Sequence, residues 1–106
     1  MAAKVKITVL KKLSTKDIYG GSVNFPARLA DDFPQECPLC NVGDEFIVND
    51  IVSCPAGFCA WAFADMERDI THLLLGGDHP WLKDAGVAIT CCTDGLRTVY
   101  FKLERI

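Results

Sequence analysis

Six cysteines in a chain of 106 residues are the first feature that could carry chemistry. They fall in three places: Cys37 and Cys40 in C-P-L-C, Cys54 and Cys59 in C-P-A-G-F-C, and the adjacent Cys91 and Cys92. Thiols ligate soft metals, attack electrophiles as thiolates and exchange with disulfides. In a secreted chain an even count would mean a disulfide framework. The N-terminal MAAKVKITVLKK, however, has no apolar stretch of the signal-peptide kind. The expectation is therefore a cytoplasmic, reduced protein, in which cysteines bind metal, react or fill the core.

Spacing narrows the choice. Cys37-Pro38-Leu39-Cys40 has zinc-knuckle or thioredoxin-like spacing, but a structural zinc site wants a second such pair, and Cys54 and Cys59 are too far apart to supply it. Cys91 and Cys92, as strand neighbours, point to opposite faces and do not easily share a metal. A cluster held by Cys37, Cys54, Cys59 and Cys91 has no recognised spacing behind it.

The positioning elements come from periodicity. Val5, Ile7 and Val9 alternate with Lys4, Lys6 and Thr8, the pattern of a half-buried strand. Ser14 to Tyr19 reads as a short helical turn ended by Gly20-Gly21. Residues Ser22 to Val42 carry three prolines and no period, and read as loop. Glu45 to Val52 is β-branched enough for a second strand. From Gly57 to Leu75, residues Cys59, Ala62, Phe63, Met66, Ile70, Leu73 and Leu74 form one apolar helical stripe, with Gly76-Gly77 as the stop.

Gly86 to Thr93 and Arg97 to Ile106 read as a hairpin. A three-residue loop, Thr93-Asp94-Gly95, pairs Val87 with Phe101, Ile89 with Val99 and Cys91 with Arg97, and keeps one apolar face. A slip of one residue would reverse the conclusion about Arg97. The fold expectation is one α+β domain over residues 1–106, a small, mostly antiparallel sheet of three or four strands with one main helix packed on it.

In that register Cys91 and Cys59 both face the interior. Arg97 beside Cys91 would lower its thiol pKa from ~8.5 and make it a nucleophile or a metal ligand. Cys59, near a helix N-terminus, would gain from the helix dipole. Against this stands the plainer reading that buried cysteines are small hydrophobes. His72 falls on the outer helix face and His79 in a G-G-D-H-P-W loop, so neither reads as catalytic. Asp65 and Arg68 read as a solvated ion pair. Trp61, Leu75 and Trp81 fall outside the core stripe, and point to self-association.

Together, C-P at Cys37-Pro38, G-D-E-F-I-V from Gly43, P-A-G-F-C-A-W-A from Pro55 and C-C-T-D-G-L-R-T-V-Y-F-K-L-E-R from Cys91 resemble a family of small uncharacterised bacterial and archaeal proteins common in anaerobes. The resemblance covers most of the chain. It implies no activity, but it favours Cys37, Cys59, Cys91, Cys92 and Arg97 as the site, with Asp94 also on a motif position, and disfavours the C-x-x-C pair as the essential feature. Cys40 and Cys54 lie outside the shared pattern. Thr98 stands where that family usually has proline, and the stretch before Cys37 is particular to this chain.

The sequence reading is thus a cysteine-centred small-molecule or metal-binding protein, open to thiol redox chemistry. Cys91, Cys59 and Arg97 are the catalytic candidates, Cys92 and Asp94 the cofactor-binding ones, and Cys37, Cys59 and Cys91 the ligands of a thiolate-bound zinc or iron–sulfur group. The alternative is a non-catalytic, self-associating or partner-binding subunit with structural cysteines. Net charge is −3, which gives no case for nucleic acid, and no apolar run reaches the ~18–20 residues needed to cross a membrane.

Overall fold

A computed structural model describes residues 3–20, 27–50 and 53–106. Strand β1 (Val5–Lys12) buries Val5, Ile7 and Val9 completely or nearly so, as its alternation requires. The helical turn α1 (Thr15–Tyr19) is closed by a capping box. Ser14 Oγ accepts from Asp17 N at 3.0 Å, and Asp17 Oδ2 accepts from Ser14 N at 2.9 Å. Gly20, left-handed at φ 77°, ends the turn. Strand β2 (Glu45–Val48) is shorter than its β-branched run; Ile51 and Val52 lie outside the described residues. Helix α2 spans Ala60–Leu74, β3 spans Val87–Cys91 and β4 spans Val99–Arg105.

The four strands form one antiparallel sheet in the order β2-β1-β4-β3, with α2 packed on one face. This is the expected α+β architecture. Ala62, Phe63, Met66, Ile70 and Leu73 of α2 are buried against Val5, Ile7, Val9, Val99, Phe101 and Leu103 of the central strands. Burying one such large side chain is worth about 1.5–3 kcal/mol relative to leaving it exposed. The opposite sheet face is charged, with Lys6 bridging Glu45 at 3.5 Å and Glu104 at 3.7 Å.

The helix begins three residues later than Gly57, because Gly57 is left-handed (φ 78°) and Pro55 to Phe58 form a turn. Its end is a Schellman motif: Gly76 N donates to Leu73 O at 3.0 Å and Gly77 N to His72 O at 2.8 Å. Arg105 adds to this end of the helix, sharing Leu73 O with Gly76 N. Its Nη1 donates to Leu73 O at 3.1 Å and Gly77 O at 2.7 Å, and its Nη2 to Asp78 Oδ1 at 2.9 Å. Substituting Arg105→Met is expected to lower stability by about 1.5–3 kcal/mol, the range for hydrogen bonds from a charged donor. A urea titration should show an earlier midpoint at unchanged slope.

The hairpin departs from the sequence reading. Val87 pairs with Glu104, Ile89 with Lys102 and Cys91 with Tyr100, and the connection runs from Cys92 to Thr98. Two physical reasons account for the change. Asp94 organises a longer turn: its Oδ1 accepts from Leu96 N at 2.9 Å and Arg97 N at 3.1 Å, and its carbonyl accepts from Thr98 Oγ1 at 2.6 Å. The small Ala88 and Cys92 are buried on the helix side, where α2 crosses β3, while the bulkier Ile89 is exposed. The expected inward face of Val87, Ile89 and Cys91 is therefore the outward one.

Candidate functional site

A β-bulge starts the construction of the site. The β1–β4 register slips between Val9 and Lys11, and this sets Lys12 opposite the inward-facing Val99. Lys12 then reaches under the sheet end, where its Nζ donates to Cys40 O at 2.8 Å and lies 3.9 Å from Glu36. Thr15, buried at the start of α1, holds the same segment from the other side. Its amide donates to Gln35 O at 3.0 Å, and its hydroxyl donates to Leu96 O at 2.8 Å. Phe33 lies 4.5 Å under the Arg97 guanidinium, a cation–π contact. The irregular stretch from Phe33 to Cys40 is thus fastened over the β3–β4 turn.

Between this stretch, the start of α2 and the turn lies a cavity of about 510 Å³. Its walls are mainly apolar: Leu39, Phe58, Ala62, Val99 and Phe101. Four thiols line it: Cys37 and Cys40 from the irregular stretch, Cys59 from the N-cap of α2, and Cys92 from the residue that follows β3. Asp94 and Arg97 supply its charges, and Trp61 its rim. The volume falls within the ~300–1,000 Å³ of ordinary small-molecule sites. A second depression of about 440 Å³, beside β2, is lined by Glu45, Asn49, Asp50, Ser53 and one thiol, Cys54. Among the described residues that line it, no cation stands beside that thiol.

The thiols are not equivalent. Burial pushes Cys40 up to about 11, helped by the negative charge that Cys37 would carry. The Cys37 side chain is its hydrogen-bond neighbour. Cys92 is 9% exposed, and its Sγ accepts from Val99 N at 3.3 Å. Cys59 makes no capping hydrogen bond with its side chain. Its sulfur therefore stays free of the helix while standing at the positive end of the dipole.

The geometry moves the predicted centre. Cys91 does not line the cavity; it pairs with Tyr100 on β4, and burial, Cys92 and Asp65 all push its thiol pKa up. Arg97 is not its cation. The guanidinium binds Asp94, with Nε and Nη2 each 3.2 Å from Oδ2. Burial opposes ionisation of Asp94, but the Leu96 and Arg97 amides and the Arg97 charge outweigh it and hold the carboxyl below its ordinary value. Cys37, Cys59 and Cys91 are not assembled as ligands. Among the described residues no three Cys, His, Asp or Glu side chains gather as a metal site. Cys54 is exposed, its thiol donating to Phe58 O at 3.6 Å.

Cys59, Cys37, Cys92, Asp94 and Arg97 do meet, and two further residues join them. Cys40 comes in through the bulge at Leu10, which no spacing rule exposes. Trp61 comes in through Thr93, whose hydroxyl accepts from Trp61 Nε1 at 2.8 Å and donates to Asp65 at 3.0 Å. The i, i+4 pair Trp61 and Asp65 was the signal available for that clamp. His72 and His79 stack at 5.1 Å, and Trp81 lies on His79 at 4.5 Å, away from the cavity. No described helix is long and apolar enough to cross a membrane.

The chain matches no family model, no curated protein and no solved structure.

Proposed function

We propose that this is a cytoplasmic small-molecule-binding protein with a thiol–disulfide couple, Cys37 and Cys40, in its binding cavity. One observation carries the reading: four thiols from three separate segments line a single apolar cavity. All four also border the core, Cys92 within its cluster and Cys37, Cys40 and Cys59 packed against it; what supports the reading is that they open together on one apolar cavity.

Cys37 is the exchanging thiol and Cys40 the resolving one. The Cys37 thiolate attacks one sulfur of a bound disulfide, the S–S bond breaks, and the first half leaves as a thiolate that takes up a proton. Once Cys37 is in a mixed disulfide it no longer carries charge, so one cause of the raised Cys40 pKa disappears. Cys40 then loses its proton and displaces the second half from Cys37. Two protein thiols are oxidised and one disulfide is reduced to two thiols. Cys59 and Cys92 are the further thiols a bound electrophile would meet.

The test uses 5,5′-dithiobis(2-nitrobenzoate), an aromatic disulfide. At the cavity it should release two thiolate equivalents and leave a Cys37–Cys40 disulfide in the peptide map. Cys40→Ser should leave a stable mixed disulfide on Cys37. If Cys91→Ala abolishes the fast phase and Cys37→Ala does not, the assignment is wrong.

The alternative, a self-associating subunit, draws on Leu75 at 81% exposed and Trp81 at 73%. It predicts a concentration-dependent sedimentation coefficient that Leu75→Asp abolishes, with thiol exchange unaffected.

A further inference from the structure

Trp61 presents a contradiction that a ligand resolves. It is 65% exposed, yet its position is fixed. The indole Nε1–H is tied to Thr93 Oγ1 at 2.8 Å, and Thr93 is held by Asp65 through both its amide, at 2.7 Å, and its hydroxyl, at 3.0 Å. A single turn of α2, from Trp61 to Asp65, therefore clamps the start of the β3–β4 turn and fixes the ring at the cavity rim. Holding a large apolar surface still and wet gains little for folding.

The other aromatic rings nearby are committed. Phe58 meets Phe46 edge-on at 4.9 Å and Phe101 at 5.6 Å, and Trp81 lies on His79. Among the described residues no ring stacks on the Trp61 indole. The Arg97 side chain also lines the cavity and, braced there by Asp94, keeps guanidinium N–H groups beyond those that Asp94 takes. A flat π-surface at the rim and a fixed donor inside define the shape of what fits between them.

We infer that the cavity takes a planar conjugated molecule, stacked on Trp61 and carrying an acceptor group toward Arg97. The inference rests on the ligand-cavity reading above and names the class of ligand. Trp61 is the stacking platform. Asp65 and Thr93 are positioning residues that act through it.

The experiment uses 8-anilinonaphthalene-1-sulfonate, whose planar naphthalene ring carries a sulfonate acceptor, on the full chain. Trp61 and Trp81 are the two tryptophans, so Trp81→Phe leaves Trp61 as the single indole reporter. The expected result is saturable binding of one probe per chain, with energy transfer from Trp61. Trp61→Ala should weaken it about tenfold, the scale of one lost aromatic contact of about 1.4 kcal/mol. Trp61→Phe, which keeps a ring without its tether, should fall between. Unchanged far-UV dichroism in Trp61→Ala checks that the exposed position has not unfolded the chain.

Binding untouched by Trp61→Ala overturns the inference, as does a shift from dimer to monomer in that variant, which would make the indole a contact between copies. Alkylation of Cys37 in the presence of probe separates the two readings. Protection with no dependence on Trp61 leaves the cavity standing and removes only the platform. Neither binding nor protection removes both.

Discussion

Phe101→Ala should cost about 3–5 kcal/mol, the range for removing a buried aromatic ring. Phe101 is 2% exposed and lies at the point where the core meets the cavity. It packs in the cluster with Met66 and Ile70 of α2, and its ring meets Phe58 at 5.6 Å in the segment leading to Cys59. Small domains hold only about 5–15 kcal/mol in total. The variant should therefore unfold at much lower urea and, while folded, should expose Cys59 and Cys92 to faster alkylation. Both readouts are needed. A stability loss with unchanged thiol rates would mean that the cavity wall does not depend on this ring.

Asp94→Ala should cost about 2–3 kcal/mol, because it strips the partner from the Leu96 and Arg97 amides and from a guanidinium at once. The effect carries a pH signature. The folded-state pKa of Asp94 lies below its unfolded value, so its contribution is complete above the ordinary aspartate value of ~3.9. It is lost as pH falls through the folded value. Urea midpoints of wild type and Asp94→Ala should therefore lie furthest apart near neutrality and converge in acid. A gap that stays constant to low pH would show that the charge of Asp94 does not hold the turn.

Much of the fold was legible because burial imposes periods. The Val5, Ile7, Val9 alternation and the Ala62–Leu73 stripe could belong only to a half-buried strand and an amphipathic helix, and both are found. The hairpin register was not legible from hydrophobicity alone. Two parities compete over Gly86–Thr93, and the bulkier one looked like the core. Close passage of α2 favours the smaller side chains of Ala88 and Cys92, and a packing distance of that kind is written nowhere in β3 itself. The Asp94 turn could have been seen: an aspartate followed two and three residues on by amides it can cap, with Thr98 closing the ring, is a local pattern.

The same parity decides the site. With Cys91 turned outward, the pair Cys91 and Arg97 dissolves, and Cys92, read as a cofactor-binding candidate, takes the inward position. Cys40 was set aside because it lies outside the resemblance motifs. Its place follows from one extra residue in β1, which turns Lys12 beneath the Cys37–Cys40 stretch. A bulge re-aims every side chain beyond it, and nothing in the alternation of Val5 to Val9 announces it.

The central claim is that three distant segments present their thiols to one cavity. A short phenylene-linked bismaleimide, added to native protein under exclusion of oxygen, tests it most directly, with the bridged peptides identified by mass spectrometry. The account predicts bridges that join Cys37 or Cys40 to Cys59 or Cys92, suppressed by a ligand that fills the cavity. Bridges that instead run to Cys91, with none between the Cys37–Cys40 stretch and α2, would contradict it.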